Sequence, residues 1–337
     1  MDKIALSSQK TYANQYKWWV RFCRIREVNS VWRTNEPNVD AENLVLDYIV
    51  HSGLVLNKAP GTVKLRIAAV RNHHFNLGLP DPFLHMPRVK LALGGLKRRR
   101  GTQDRRYPVT PRMLAYLKGR LQPDQSHDGA LVWAALCMGF FFLLRASEYL
   151  DVGRYTPGRG LQGVHVTLLK NGEPVPANQS IEADEVQLTV AGSKTDIYNR
   201  GETRNHFANH QVTHGQRLCV VEALAMLYKH APQSHRSGSD AHDPLLCDRM
   251  GVHLSRETVQ AVLREAALAT GTPAEAIGSH SLRFGGASAL WSAYHDSGLV
   301  KRWGRWASDS FHTYLWEDRS GASGIASAMA STDPVPA

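Results

Sequence analysis

The residues best suited to chemistry lie in one stretch of the chain, from His280 to Tyr314. His280 and Arg283 are one helical turn apart, so a helix would place both on one face, where they can bind an anionic oxygen together. Ser279 is a candidate N-cap for that helix, and the free amide groups of a first helical turn also favour a phosphate. Tyr314 supplies a hydroxyl that can attack such an anion. The stretch therefore predicts covalent chemistry on a phosphate.

Two further cationic residues lie well upstream, each beside a predicted element. Arg145 comes near the end of segment 130–150, which is apolar enough for a buried helix, and Lys194 follows a predicted strand at residues 186–190. A guanidinium matches phosphate geometry and keeps its charge, which suits Arg145 and Arg283 as a pair that grips the non-bridging oxygens. Each residue alone is weak evidence, because an arginine after a helix often only complements its dipole and a turn lysine is usually solvated.

The elements that must position these residues indicate a mostly α fold with a small β-sheet, an α+β protein. Apolar residues at helical spacing predict helices in the first hundred residues, with starts near Ser7, Asp40, Pro60 and Pro82. Clusters of β-branched residues predict strands at 164–169 and 186–190, and segment 255–270 is predicted to be an amphipathic helix. The chain is thus helical first and mixed afterwards.

A basic run separates the two parts, and its cations are Lys97, Arg98, Arg99, Arg100, Arg105 and Arg106. We expect a basic linker at 97–107 between a helical DNA-binding domain at 1–96 and a catalytic domain at 108–320, followed by a flexible tail at 321–337. The run can lie along a DNA backbone, where each cation adds salt-dependent affinity. A plain solvated linker and a nuclear localisation signal are the alternatives.

The overall charge favours a polyanionic partner. The 337 residues carry a net charge of +10 with 43% apolar and 21% charged residues, so the protein is an ordinary folded chain with a basic surface. Nucleic acid is the expected partner, ahead of an anionic membrane. The four cysteines are widely scattered without a C-x-x-C pair, which argues against a disulfide scaffold or zinc finger and favours an intracellular location.

Three regularly spaced histidines could indicate a metal site. His206, His210 and His214 recur every four residues, which on a helix would align metal ligands. Acidic or cysteine partners are not adjacent, and the stretch follows a turn-rich segment. We therefore expect no metal site there.

Taken in order, the candidate residues resemble the pattern of the tyrosine recombinases, also called phage integrase-like recombinases. That pattern is an Arg with an acidic residue three positions later, a β-hairpin Lys, His-x-x-Arg, a His or Trp, and a Tyr. The matching residues are Arg145, Glu148, Lys194, His280, Arg283, Trp306 and Tyr314. The stretch GRWASDS before the tyrosine is most similar to integrases of eukaryotic mobile elements of the Crypton and DIRS types. The resemblance covers 145–314 by motif and the N-terminal part by architecture only.

The position before the tyrosine has two candidates. Arg305 follows Gly304 nine residues before Tyr314, where the family often has Gly-His, and Trp306 lies eight residues before it. An indole N–H can donate to a phosphate oxygen, and some members, Cre recombinase among them, use Trp. We favour Trp306, keep Arg305 as the alternative, and expect Trp303 to belong to the core.

The resemblance implies a site-specific DNA recombinase or integrase with a phosphotyrosyl intermediate. Tyr314 would attack a DNA phosphorus to give a 3′-phosphotyrosyl link and a free 5′-hydroxyl. Arg145 and Arg283 would hold the phosphate oxygens as charge develops, and Trp306 would support the phosphate.

The remaining positions would handle protons and orientation. His280 would accept or share the tyrosine proton, Lys194 would protonate the leaving 5′ oxygen, and Glu148 would orient its neighbours. The covalent link stores the bond energy, so the resemblance implies no cofactor, neither ATP nor a metal.

The resemblance also implies partners and an architecture. Family members act as tetramers on two double-stranded DNA sites, with a helical SAM-like bundle and a catalytic domain that form a C-shaped clamp. We therefore expect paired DNA sites, a homo-tetramer on DNA, and a location in the nucleus of a eukaryote or the cytoplasm of a prokaryote. The alternatives are relaxation of DNA in the manner of a type IB topoisomerase, and a non-catalytic, domesticated DNA-binding protein.

Overall fold

Helices build the first of the two units into which the chain divides, Met1–Arg105 and Arg106–Ala337. The computed structural model describes residues 6–32, 38–101, 106–153, 160–190, 201–230 and 243–316. Within these ranges the helices of the first unit are α1 Leu6–Ile25, α2 Val39–Val50, α3 Pro60–Asn76 and α4 Pro87–Arg100. Their buried core contains Trp19, Tyr48, Val63 and Val70.

Helix α4 differs from its prediction at both ends. It begins at Pro87 rather than near Pro82, because proline suits the first position of a helix, where its missing N–H costs no hydrogen bond. It then continues through Lys97–Arg100 to Gly101, whose φ of +70° ends it. Cations in a last turn complement the helix dipole, so the first four basic residues of the expected linker are helical. The two structural units meet after Arg105. The domain limits expected from the sequence, 1–96, 97–107 and 108–320, stay a prediction.

The second unit combines helices with the predicted small sheet. Its helices are α5 Pro111–Leu121, α6 His127–Phe141, α7 Ala146–Tyr149, α8 Val220–His230, α9 Arg256–Ala269, α10 His280–Tyr294 and α11 Ser297–Trp303. Its strands are β1 Val166–Lys170, β2 Glu173–Pro174, β3 Glu185–Val190, β4 Glu202–Phe207, β5 Val212–Thr213 and β6 Gln216–Arg217. The sheet is antiparallel in the order β2-β1-β3-β4, and β5 and β6 form a separate hairpin. The α+β fold class is therefore confirmed.

The apolar segment 130–150 is not the single helix that was predicted. Helix α6 ends at Phe141, Leu143 adopts a left-handed φ of +52°, and α7 begins after Arg145. Because a leucine rarely takes this conformation, the residue type at position 143 does not predict the end of the helix. The break matters because Arg145 lies at the start of a short helix, in extended backbone, rather than at the end of a long one.

Helix α10 packs closely against α6 because two adjacent glycines carry no Cβ. A Cβ at Gly286 would overlap the Phe140 carbonyl oxygen, and one at Gly285 would overlap that of Val109. Helix α6 itself is buried on nearly all sides and forms the centre of the second unit's core. The glycine pair thus places the start of α10 beside the loop that carries Arg145.

The part of the chain that the structure describes has no helix with the combined length and apolar character needed to cross a membrane.

Candidate active site

The hydroxyl of Tyr314 lies 2.9 Å from Nε2 of His280. His280 is the first residue of α10, and Tyr314 is the last residue of a 3-10 helix, Asp309–Tyr314. The Tyr314 ring stacks on Phe284 at 4.5 Å between centroids, and the Ser288 hydroxyl donates to the Tyr314 carbonyl at 3.1 Å. Helix α10 therefore fixes both the ring and the backbone of the tyrosine.

The sequence had not singled out Phe284 and Ser288 as site residues. Both follow His280 at four-residue intervals, so the three side chains share one face of α10. That spacing is the signal that could have identified them. Ser279, predicted to cap the same helix, makes no side-chain capping bond.

Burial lowers the pKa of His280 to about 4, with nearby Arg283, Arg106 and Arg145 adding to the effect. Desolvation disfavours the charged imidazolium, and so do the positive charges around it. The imidazole is consequently neutral at physiological pH. With its proton on Nδ1, it can accept the Tyr314 proton at Nε2.

Arg283 is fully buried and ties two separate segments together. Its guanidinium donates to the carbonyl oxygens of Leu143 and Gly304, and its Cζ lies 4.1 Å from the centroid of the Trp306 ring. Burial lowers the pKa of Arg283, and the positive charge of the neighbouring Arg145 lowers it further. Arginine nevertheless stays protonated in proteins, so the site holds a permanent cation 5.8 Å from the Tyr314 ring.

Glu148 joins two arginines through one carboxylate. It accepts from Nη1 of Arg145 at 2.9 Å, from the Arg145 backbone N–H at 2.8 Å, and from Nη2 of Arg305 at 2.7 Å. The side chains of Glu148 and Arg305 are only 8% and 4% exposed. Burial lowers the pKa of Arg305, and Glu148 opposes that shift. Glu148 thus holds Arg145 in place while it neutralises a buried cation.

The two candidates for the position before the tyrosine have different surroundings. Arg305 turns inward to Glu148 with a φ of +57°, whereas the Trp306 ring lies 5.0 Å from the Tyr314 ring and next to Arg283. A Cβ at Gly304 would overlap the Trp306 indole, so the glycine makes room for that ring. Trp306 therefore lies beside Tyr314, whereas Arg305 is bound to Glu148. Which of them contacts a phosphate stays a prediction.

The structure brings most of the predicted site residues together but not all of them. Arg145, Glu148, His280, Arg283, Trp306 and Tyr314 lie in one cluster of the second unit. Lys194 and Arg105 lie outside the described residues. Lys97, Arg98, Arg99 and Arg100 belong to the last turn of α4 in the first unit. Arg106 belongs to the second unit.

The three regularly spaced histidines do not share a helix. His206 lies in β4, where its Nε2 is 2.9 Å from the Phe141 carbonyl oxygen, and His214 lies in the turn between β5 and β6 with a φ of +52°. Burial lowers the pKa of His206. The residues that the structure describes contain no group of three His, Cys, Asp or Glu side chains placed to hold a metal ion.

The depressed pKa of His280 predicts a pH-dependent stability. Between the ordinary value of 6.5 and the folded value of about 4, the unfolded chain binds a proton that the folded chain does not. The free energy of unfolding should therefore fall as pH falls through this window, by up to about 1.4 kcal/mol per pH unit from this group. Urea unfolding of wild type and His280→Asn across the window measures the difference. An equal pH slope for both proteins would contradict the burial of a neutral His280.

The sequence matches no protein-family model and no curated protein. Solved structures do match. The XerH site-specific recombinase, in a post-cleavage complex with its palindromic difH substrate, aligns with a TM-score of 0.56 at 15% identity, over 98% of this chain and 82% of that one. The Tn1549 transposon integrase, in complex with transposon right end DNA, aligns with a TM-score of 0.55 at 11% identity, over 96% of this chain and 99% of that one. The second unit is mainly helical and contains a small antiparallel sheet. Together with these structural similarities, this shows that the chain has the tyrosine recombinase fold.

Proposed function

We propose that this protein is a site-specific DNA recombinase or integrase that cleaves and rejoins DNA through a phosphotyrosine at Tyr314. The observation that carries the proposal is the Tyr314 hydroxyl, which lies 2.9 Å from a neutral His280 beside a buried, permanently charged Arg283. A recombinase and an integrase with the same fold were both solved on DNA. The net charge of +10 suits the same partner.

In the proposed first step, the phenolic oxygen of Tyr314 forms a bond to the scissile phosphorus and its proton passes to Nε2 of His280. The bond from phosphorus to the 5′ oxygen breaks, which leaves a 3′-phosphotyrosyl link. The 5′ oxygen leaves with a proton, for which Lys194 is the proposed donor. Arg145 and Arg283 carry positive charge to the non-bridging oxygens, where charge builds in the transition state. Attack by a 5′-hydroxyl of the second duplex reverses the step and completes strand exchange.

We also propose the partners and the origin of the protein. The protein would act on two double-stranded sites as a homo-tetramer assembled on DNA, in the nucleus of a eukaryote or the cytoplasm of a prokaryote. The GRWASDS stretch supports an origin among the integrases of Crypton- and DIRS-type mobile elements.

The proposal is tested by covalent capture. Purified protein is incubated with a pool of nicked duplexes that carry a randomised centre, because a nick lets the cleaved 5′ fragment diffuse away and traps the intermediate. We expect an adduct that resists denaturation and that yields a defined DNA site on sequencing. Two duplexes with that site should then exchange strands.

Other outcomes point to the alternatives. Relaxation of any supercoiled plasmid without a defined site would favour a type IB topoisomerase activity. Tight binding to DNA without an adduct under any condition would exclude the proposed chemistry and favour a non-catalytic DNA-binding protein.

A further inference from the structure

We propose that Arg106 is a phosphate-binding residue of the active site, where it contacts the scissile phosphodiester beside Arg145, while the buried Arg283 contributes its positive charge. The inference rests on the proposed function. It assigns to Arg106 a place at the reacting group, distinct from a general contact of the basic run with the DNA backbone.

The backbone around Arg106 is fixed against the start of α10. The Tyr107 N–H donates to the Ala276 carbonyl at 3.1 Å, and the Val109 N–H donates to the Ser281 carbonyl at 2.9 Å. Gly285 allows this close approach, since a Cβ there would overlap the Val109 carbonyl oxygen. Residues 106–109 therefore run along the segment that leads into His280.

The Arg106 side chain lies over Gly278, two residues before His280. A Cβ at Gly278 would overlap Nη1 of Arg106 and would lie 3.5 Å from its Cζ. The guanidinium therefore occupies the space that a side chain at position 278 would fill. It is close enough to His280 to act on the imidazole electrostatically, as Arg145 and Arg283 do.

This cation is open to an anion. Arg106 is exposed, and within the described residues it has neither a hydrogen bond nor an ion pair. The one carboxylate that acts on His280, Glu148, is already bound to Arg145 and Arg305. Three guanidinium groups thus act electrostatically on the imidazole, and the charge of Glu148 opposes them. Such an arrangement fits a phosphodiester, whose two non-bridging oxygens accept from several donors.

A second contact places Arg106 relative to the nucleophile. The ring of Tyr107 packs against that of Trp316 at 4.7 Å between centroids, and the Trp316 N–H donates to the Ser288 hydroxyl at 3.0 Å. Trp316 comes two residues after Tyr314. The neighbours of Arg106 and of Tyr314 are therefore packed on each other.

The test compares two single-charge variants on two substrates. Arg106→Gln is compared with Arg112→Gln, which removes an exposed arginine near the start of α5. The captured site is made once with an ordinary phosphodiester and once with a methylphosphonate at the scissile position, where one charged oxygen is absent. Circular dichroism and thermal unfolding verify that both variants are folded.

On the phosphodiester we expect Arg106→Gln to slow adduct formation by about 10²-fold, and Arg112→Gln by a few fold at most. On the methylphosphonate the Arg106→Gln defect should shrink by about tenfold or more, because the charge that Arg106 offsets is absent. An Arg106→Gln defect of equal size on both substrates, or no larger than that of Arg112→Gln, would overturn the inference. Failure of the wild type to form any adduct would instead refute the proposed function.

A second variant tests the same geometry without removal of the charge. Gly278→Ala places a Cβ where Nη1 of Arg106 lies, so it should displace that guanidinium and slow adduct formation on the phosphodiester. In the Arg106→Gln background the same change should cost little more, since two changes that act through one contact are not additive. Full additivity of the two defects would show that Gly278 and Arg106 act separately and would contradict the placement.

Discussion

Replacement of Tyr314 by Phe is expected to reduce covalent attachment to DNA to background, about 10⁶-fold below the wild-type rate, while the protein stays folded. The change removes only the hydroxyl that lies 2.9 Å from Nε2 of His280. The stacking on Phe284 at 4.5 Å does not depend on that hydroxyl. The measurement is the rate of adduct formation on the captured nicked duplex, with DNA binding followed by gel shift.

Tyr294→Phe is the matched control, because Tyr294 lies at the exposed end of α10. This variant should form the adduct at the wild-type rate. An adduct that persists in Tyr314→Phe would assign the nucleophile to another residue. Loss of DNA binding in Tyr314→Phe would mean that the hydroxyl supports structure rather than chemistry.

Glu148→Gln is expected to be the most destabilising of the single changes, by about 3 to 5 kcal/mol. The glutamine keeps the size of the side chain but removes the charge that neutralises Arg305, whose side chain is 4% exposed. Removal of one partner of a buried ion pair leaves the other charge desolvated and uncompensated. Urea unfolding at neutral pH measures the change. Adduct formation should fall as well, because glutamine offers one acceptor oxygen and no charge where the Glu148 carboxylate binds both Arg145 and Arg305.

Two further variants distinguish a buried ion pair from an exposed one. Glu257→Gln breaks an ion pair with Arg256 in which the glutamate side chain is 66% exposed, and it should change the stability far less than Glu148→Gln does. The double variant Glu148→Met with Arg305→Met removes both buried charges and should recover part of the lost stability but none of the activity. Equal effects of Glu148→Gln and Glu257→Gln on stability would show that the Glu148 cluster is solvated.

The sequence predicted the main elements and the proximity of His280 to Tyr314, because these depend on local periodicity and on an ordered motif. It did not predict the turn at Leu143, since a left-handed leucine has no sequence signal. As a result, Arg145 was expected at the end of a helix and is found at the start of one.

The surroundings of the buried arginines could not be predicted from the sequence either. Arginine is usually exposed, and Arg305 can be buried because it binds the carboxylate of Glu148, 157 residues earlier in the chain. Arg106 was predicted to contact a DNA backbone because it belongs to a basic run. Its place beside Gly278 depends on pairing with residues 276–281, and such long-range pairing cannot be read from local patterns.

The two backbone contacts of Arg283 affect which substitutions can remove the proposed activity without unfolding the protein. Its guanidinium supports the backbone at Leu143 and at Gly304, so the side chain that we propose to offer charge to a phosphate also joins two loops of the fold. Loss of Arg283 is therefore expected to destabilise the fold as well as abolish the proposed reaction, whereas loss of only the Tyr314 hydroxyl is expected to leave the protein stable. Inactive descendants that still bind DNA are therefore expected to retain the arginine and to have replaced the tyrosine.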